Sequence, residues 1–121
     1  MSTVDITAET FEATIEKNDI VIVDFWAEWC GPCKSFAPIY EEVSTKHDDI
    51  VFGKIDTEAE QELAAHFQIR SIPTLMVFRE QVVLYSQAGM LNNSQLEDLI
   101  TKIRELDMAT VHAEIAKQAE A

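Results

Sequence analysis

Basic residues are scarce in this chain. Nine Lys and Arg stand against 22 Asp and Glu, for a formal charge of −13 and a pI near 4.4. Such a surface repels phosphate backbones and anionic headgroups, which excludes nucleic-acid binding through a basic face and adhesion to an acidic membrane. Cysteine is scarcer still, with two residues, too few for a disulfide-rich secreted scaffold. A zinc site wants four ligands, and a single C-x-x-C supplies two. His47, His66 and His112 have no tight spacing to that pair, so no metal is expected. Three Gly and three Pro leave no room for a collagenous or low-complexity design. No apolar run reaches membrane-spanning length, and the start Met-Ser-Thr-Val-Asp-Ile lacks the basic and apolar parts of a secretion signal. The expected compartment is a reducing cytoplasm.

What remains is a 121-residue chain that is 47% apolar, enough for one domain with its own core. Strand-like and helix-like segments alternate, which predicts a layered α/β fold. A short strand is expected near Val4–Ile6, then a helix capped by Thr7 and running to about Lys17, with Phe11 and Ile15 on one face. Ile20 to Ala27 is almost unbroken apolar, as a strand covered on both faces requires. Asp24 interrupts it. A helix is expected from about Pro32 to Lys46, with Pro38 inside it as a source of a kink. Then follow a strand over Val51–Asp56, a helix over Glu58–Phe67 and a hairpin, Thr74–Phe78 with Val82–Ser86, turning at Arg79–Gln81. The next helix begins near Asn93 and carries Leu96, Leu99, Ile100, Ile103 and Leu106 at helical spacing. Beyond it, Met108, Val111 and Ile115 lie about 90° round from that stripe, and Asp107 can cap a new helix. Residues 107–121 therefore read as a separate helical appendage that folds back, meets a partner, or simply frays.

Both cysteines fall in Trp29-Cys30-Gly31-Pro32-Cys33-Lys34, between the apolar strand and a helix start. In that setting C-x-x-C reads as a redox motif. A two-residue spacer lets the sulfurs approach bonding distance. Free N–H groups and the helix dipole favour negative charge on Cys30, making it the nucleophile with a lowered pKa. Cys33, one turn in, is expected to be less exposed and to resolve the mixed disulfide. Pro32 stiffens the first turn, where its missing donor is harmless. A purely structural bridge is disfavoured because so short a loop constrains the unfolded chain little. Asp24 incurs a desolvation penalty that raises its pKa, suiting it to exchange a proton with a neighbouring thiol; a structural, hydrogen-bonded role is the alternative.

The text Val23–Lys34 (VDFWAEWCGPCK), Pro38, Ile69–Phe78 (IRSIPTLMVF) and Gly89 together resemble the thioredoxin family. The resemblance spans about Thr7 to Leu106. It implies a central mixed five-stranded sheet flanked by four helices, here with a short C-terminal helical extension: residues 1–106 and 107–121. It implies a protein-disulfide reductase working through a mixed disulfide, with Cys30 attacking and Cys33 resolving. It places Asp24 as the buried carboxylate behind the dithiol and Lys54 as the lysine beside it. It sets Trp29, Gly31, Pro32, Ile72, Pro73, Ala88 and Gly89 around the substrate, with Pro73 in the cis form. It implies no bound cofactor, electrons from NADPH through a thioredoxin reductase, and protein disulfides as substrates; a monomer is expected.

Read without the resemblance, Lys54 would be a solvent-facing strand residue and Pro73 a permitted strand start; Trp26 is read as core filling and Trp29 as part of the active-site rim. Glu80-Gln81 occupies a turn where the family commonly has glycine. A binding or co-chaperone module on the same scaffold, engaging a partner through its tail, stands as the second functional reading. An oxidase or isomerase stands as the third, with the Gly-Pro spacer resembling the reductive members.

Overall fold

The computed structural model describes residues 2–120, so Met1 and Ala121, the outer ends of the two segments 1–106 and 107–121, lie outside the described residues. The apolar run becomes β2 (Ile20–Trp26), the middle strand of a five-stranded sheet. The full order of elements is β1 (Thr3–Asp5), α1 (Ala8–Lys17), β2, α2 (Gly31–Ser44), β3 (Ile50–Asp56), α3 (Gln61–His66), β4 (Thr74–Arg79), β5 (Val82–Ala88), α4 (Asn93–Glu105) and α5 (Met108–Glu120). The strands lie in the order β1-β3-β2-β4-β5. β1, β3 and β2 run parallel, while β4 is antiparallel to both β2 and β5.

Alternation along β2 divides the core. Ile20 and Ile22 face Phe36, Tyr40 and Val43 of α2 and Leu96, Ile100 and Ile103 of α4. Val21, Val23 and Phe25 face the opposite way, where Ile15 and Phe11 of α1 and Leu63 of α3 pack with Phe67. Covering on both sides is why the run had to be apolar throughout. α2 is tied down at its centre by Tyr40, whose buried hydroxyl lies 2.9 Å from the Ile22 carbonyl and 2.8 Å from that of Gly53. Its single proton is thus shared between β2 and β3. In the loop after α2, the His47 ring contacts Glu97 at 2.6 Å, and Arg104 forks onto Asp49 at 2.7 and 2.8 Å, which fastens that loop to α4.

Several boundaries differ from those expected, each for a local reason. α3 begins at Gln61 rather than Glu58, because the Asp56 carboxylate accepts from the amides of Glu58 (2.9 Å) and Ala59 (3.4 Å) and holds a turn there. The hairpin turn is two residues, Glu80-Gln81, since Arg79 still pairs with Val82. Both turn residues take the left-handed conformation, at φ 51° and 68°. That geometry matches the twist of a tight hairpin but favours glycine or asparagine. The turn is held from outside: the Glu80 amide donates to the Asp19 carbonyl at 2.8 Å, and the Glu80 carboxylate meets His112 at 2.9 Å.

The same end of the sheet receives the tail. Arg79 Nη1 donates to the carbonyls of Ile103 (2.7 Å), Arg104 (3.3 Å) and Leu106 (3.3 Å), groups that α4 leaves without helical partners. Asp107 caps α5, accepting from the Ala109 amide at 3.1 Å and the Thr110 hydroxyl at 2.8 Å. Met108 is buried and Ile115 is exposed, so the first turn of α5 is seated and its later turns stand off the core. Gln81→Gly removes a left-handed side chain at a small entropic cost. It is expected to stabilise the fold by about 0.5–1 kcal/mol in urea titrations; a loss of stability would show that the turn is not strained there.

Candidate active site

The chemistry gathers where β2 runs into α2. Cys30 is the N-cap of α2, with extended backbone at φ −88° and ψ 111°. Its amide donates to the Ala27 carbonyl at 3.2 Å, which folds the chain back over the strand end. Gly31 and Pro32 form the first helical positions. The Cys33 amide donates to Cys30 Sγ at 3.2 Å, so an unpaired helix-terminal donor is spent on sulfur. The two cysteines are joined as a disulfide, with Cα atoms 5.2 Å apart. In this oxidised form they are buried almost equally, at 4% and 3% exposure. What distinguishes them is therefore backbone position rather than exposure: Cys30 caps the helix and Cys33 lies within it.

The Ile72–Pro73 bond is cis. The Ile72 carbonyl oxygen lies 3.7 Å from Cys30 Sγ, and the Ile72 side chain packs on the dithiol with Ala27. The Pro73 carbonyl accepts from the Gly89 amide at 2.8 Å. Gly89 sits at φ 103°, a conformation that L side chains rarely adopt, and β5 ends just before it at Ala88. A shallow groove bordered by Ser71, Thr74, Gln87 and Ala88 runs beside this proline. On the other side of Cys30, Trp29 is 69% exposed and its indole N–H reaches Glu58 Oε1 at 3.3 Å. Trp29, Gly31, Pro32, Ile72, Pro73, Ala88 and Gly89 thus lie around one end of the sheet.

Asp24 lies behind them on the α2 side of β2, 1% exposed, with neither carboxylate oxygen hydrogen-bonded within the protein. Burial raises its pKa from 3.8 to about 7, and the nearby Lys54 ammonium opposes that rise without cancelling it. Lys54 is its register partner on β3. The lysine does not point freely to solvent: its Nζ lies 4.9 Å from the centroid of the Trp26 ring. Trp26, Ala27, Cys33, Lys34, Ala37 and Lys54 line a pocket of about 290 Å³. The sequence predicts Trp26 as plain core filling. It is half-buried instead, and it forms the pocket wall beneath the lysine. Its two-residue spacing from Asp24 was the available clue, since strand neighbours two apart share a face. The contact of Glu58 with the Trp29 indole has no signal in local spacing. Among the described residues no group of three or more His, Cys, Asp or Glu could hold a metal ion, and no helix is long and apolar enough to cross a membrane.

Comparison with known proteins bears on this arrangement directly. The thioredoxin family model matches residues 2–102. The chain belongs to the thioredoxin family. A Streptomyces coelicolor protein named for thioredoxin 2 is 52% identical over 117 residues, 97% of this chain and 87% of that one. The thioredoxin of Bacillus subtilis is 37% identical over 103 residues, covering 84% of this chain and 98% of its own. A solved Plasmodium falciparum thioredoxin superposes with a TM-score of 0.76 at 39% identity, covering 83% of this chain and 97% of that one. With a bonded Cys30–Cys33 pair on this fold, the protein is a thiol–disulfide oxidoreductase.

The buried carboxyl makes stability depend on pH in a definite direction. Asp24 titrates near 3.8 when unfolded and near 7 when folded. Between those values the native state holds the proton and the unfolded state does not, so stability falls as pH rises from about 4 to about 7 and levels off above. Asp24→Asn is expected to match the parent below pH 4 and to exceed it by on the order of 4 kcal/mol above pH 7. Denaturant titrations of the oxidised protein at the two extremes check this; equal stability of the two proteins at pH 8 would refute it.

Proposed function

We propose that this protein works in the reductive direction, as a protein-disulfide reductase. The observation that carries the reading is a dithiol whose first sulfur caps a helix and whose second borders the pocket that Lys54 shares. Reduced Cys30, ionised by helix-terminal donors, attacks one sulfur of a substrate disulfide. A Cys30–substrate bond forms, the substrate S–S bond breaks, and one substrate thiolate leaves. Cys33 then gives its proton to Asp24 and attacks Cys30 Sγ. The second substrate thiolate leaves, and the Cys30–Cys33 disulfide remains. A carboxyl held near pH 7 suits this transfer, since it is neither permanently ionised nor permanently protonated.

Recognition is broad in this reading. Trp29 and Ile72 supply an apolar rim, Gly31 and Pro32 keep the approach to Cys30 low, and an extended substrate lies alongside Pro73, Ala88 and Gly89 as an added strand would. Lys54 supplies the counter-charge to Asp24. The protein binds no cofactor of its own; two electrons come from NADPH through a thioredoxin reductase. It acts as a monomer in the cytoplasm, and residues 1–106 form the catalytic domain with 107–121 as an appendage.

Insulin reduction coupled to NADPH oxidation through a thioredoxin reductase tests the whole reading. Cys30→Ser is expected to fall to the uncatalysed level. Cys33→Ser should accumulate covalent substrate adducts that a reductant releases. Asp24→Asn should slow resolution of a preformed mixed disulfide at pH 7 by about tenfold to a hundredfold. Insulin reduction by Cys30→Ser at the parent rate would refute the assignment.

A further inference from the structure

We propose that Trp26 is a positioning residue: its indole face holds the Lys54 ammonium beside the pocket that Cys33 lines, on the side where Asp24 exchanges its proton. The inference rests on the reading of Asp24 as the proton carrier and adds the device that fixes its counter-charge.

The geometry begins with register. Asp24 pairs with Lys54 and Trp26 with Asp56 across the parallel β2–β3 ladder. Asp24 and Trp26, two residues apart, share the α2 face. A lysine opposite Asp24 has a stem long enough to reach water in several directions. Its Nζ instead leans along the strand to the next inward-facing residue and comes to rest 4.9 Å from the indole centroid, within cation–π range. The indole itself is not anchored by its polar atom. Trp26 Nε1 is buried without a hydrogen-bond partner, which is unusual for a tryptophan whose only task is packing. The ring is oriented so that its face, not its N–H, makes the useful contact.

The alternatives open to Lys54 explain why such a hold matters. Two pockets flank the Trp26–Lys54 pair. One is lined by Cys33, with Glu28 and Lys34 at its edge. The other is lined by Asp5, Asp56 and Glu60. Three carboxylates on that second side compete for the ammonium, and an unheld lysine would swing to them. Tyr40 approaches from α2 below, but its hydroxyl is committed to the Ile22 and Gly53 carbonyls and offers Asp24 nothing. Lys54 is thus the positive group facing Asp24 from β3, and its placement depends on the ring.

The test is an NMR titration of the Asp24 carboxyl carbon in the oxidised protein. Trp26→Leu frees the ammonium, and the Asp24 midpoint is expected to rise by roughly half to one pH unit. Lys54→Met should raise it at least as far. Trp26→Leu added to Lys54→Met should raise it no further. Trp26→Phe keeps a ring face and should shift the midpoint by less than half as much as leucine. If Trp26 only excluded water, its loss would hydrate the carboxylate and lower the midpoint. A fall, no change, an equal rise in the Lys54→Met background, or a phenylalanine variant that matches leucine overturns the proposal. Should Trp26→Leu fail to fold, the parent protein decides: Lys54 Hε protons over an indole face resonate clearly upfield, and ordinary lysine positions refute the contact. None of these readouts requires Asp24 to be the base, which the mixed-disulfide measurement on Asp24→Asn settles separately.

Discussion

A carboxyl group buried without a hydrogen-bond donor from the protein sits in the central strand of this sheet, opposite Lys54 on the neighbouring strand. Two effects act on Asp24. Burial disfavours its charge, and the Lys54 ammonium favours it. Burial wins, leaving the pKa near 7 rather than below 4, a bias on the order of 4 kcal/mol against the anion. A single buried hydrogen bond to the carboxylate would offset much of that. The core withholds one. The hydroxyl of Tyr40, whose ionisation the Asp24 charge opposes, spends its proton on backbone carbonyls.

The strand order explains how four stretches of chain, distant in sequence, converge on the end of the sheet where the dithiol sits. β2 and β3 are parallel, so the loops after Trp26 and after Asp56 leave the sheet at the same end. β4 is antiparallel to β2, so its start, at Thr74 after Pro73, lies at that end too. β5 returns antiparallel to β4 and finishes there at Ala88. The dithiol, Glu58, the cis-proline and Gly89 are therefore neighbours by topology. The Pro73–Gly89 hydrogen bond at 2.8 Å fastens two of these loops to each other. Loops placed in this way by a rigid sheet can present chemistry without themselves forming a core.

Much of this was legible in the residues alone, and what was not has physical reasons. The covered strand could be read from Ile20–Ala27, because burial on both faces leaves a continuous apolar run. The Cys30–Cys33 pair and the unusual cost of Asp24 could be read from local chemistry. The cis state of Ile72–Pro73 could not; it came from resemblance, since an Ile-Pro dipeptide is usually trans. The contact of Lys54 with Trp26 was hidden because it depends on which strands adjoin. Adjacency of β3 to β2 is a property of the sheet, not of either segment. Glu58 was hidden for the same reason, as its partner Trp29 lies on another loop. The late start of α3 turned on one carboxylate, Asp56, choosing a turn over a helix.

The hairpin's strain and the tail's position are linked by the same topology. Thr74 and Ala88 mark the active end of the β4–β5 pair, so Glu80 and Gln81 mark the opposite end. The six residues of β4 separate the two ends by about 17–20 Å. Left-handed backbone at two non-glycine residues is unfavourable alone, and outside contacts hold it in place: Asp19 accepts the Glu80 amide and His112 meets its carboxylate. Arg79, the last residue before the turn, closes the carbonyl end of α4 just where the chain bends into α5. A glycine-rich turn would relax more easily but would offer no carboxylate to the tail. The first turns of the segment after Leu106 are therefore seated at the end of the sheet opposite the disulfide.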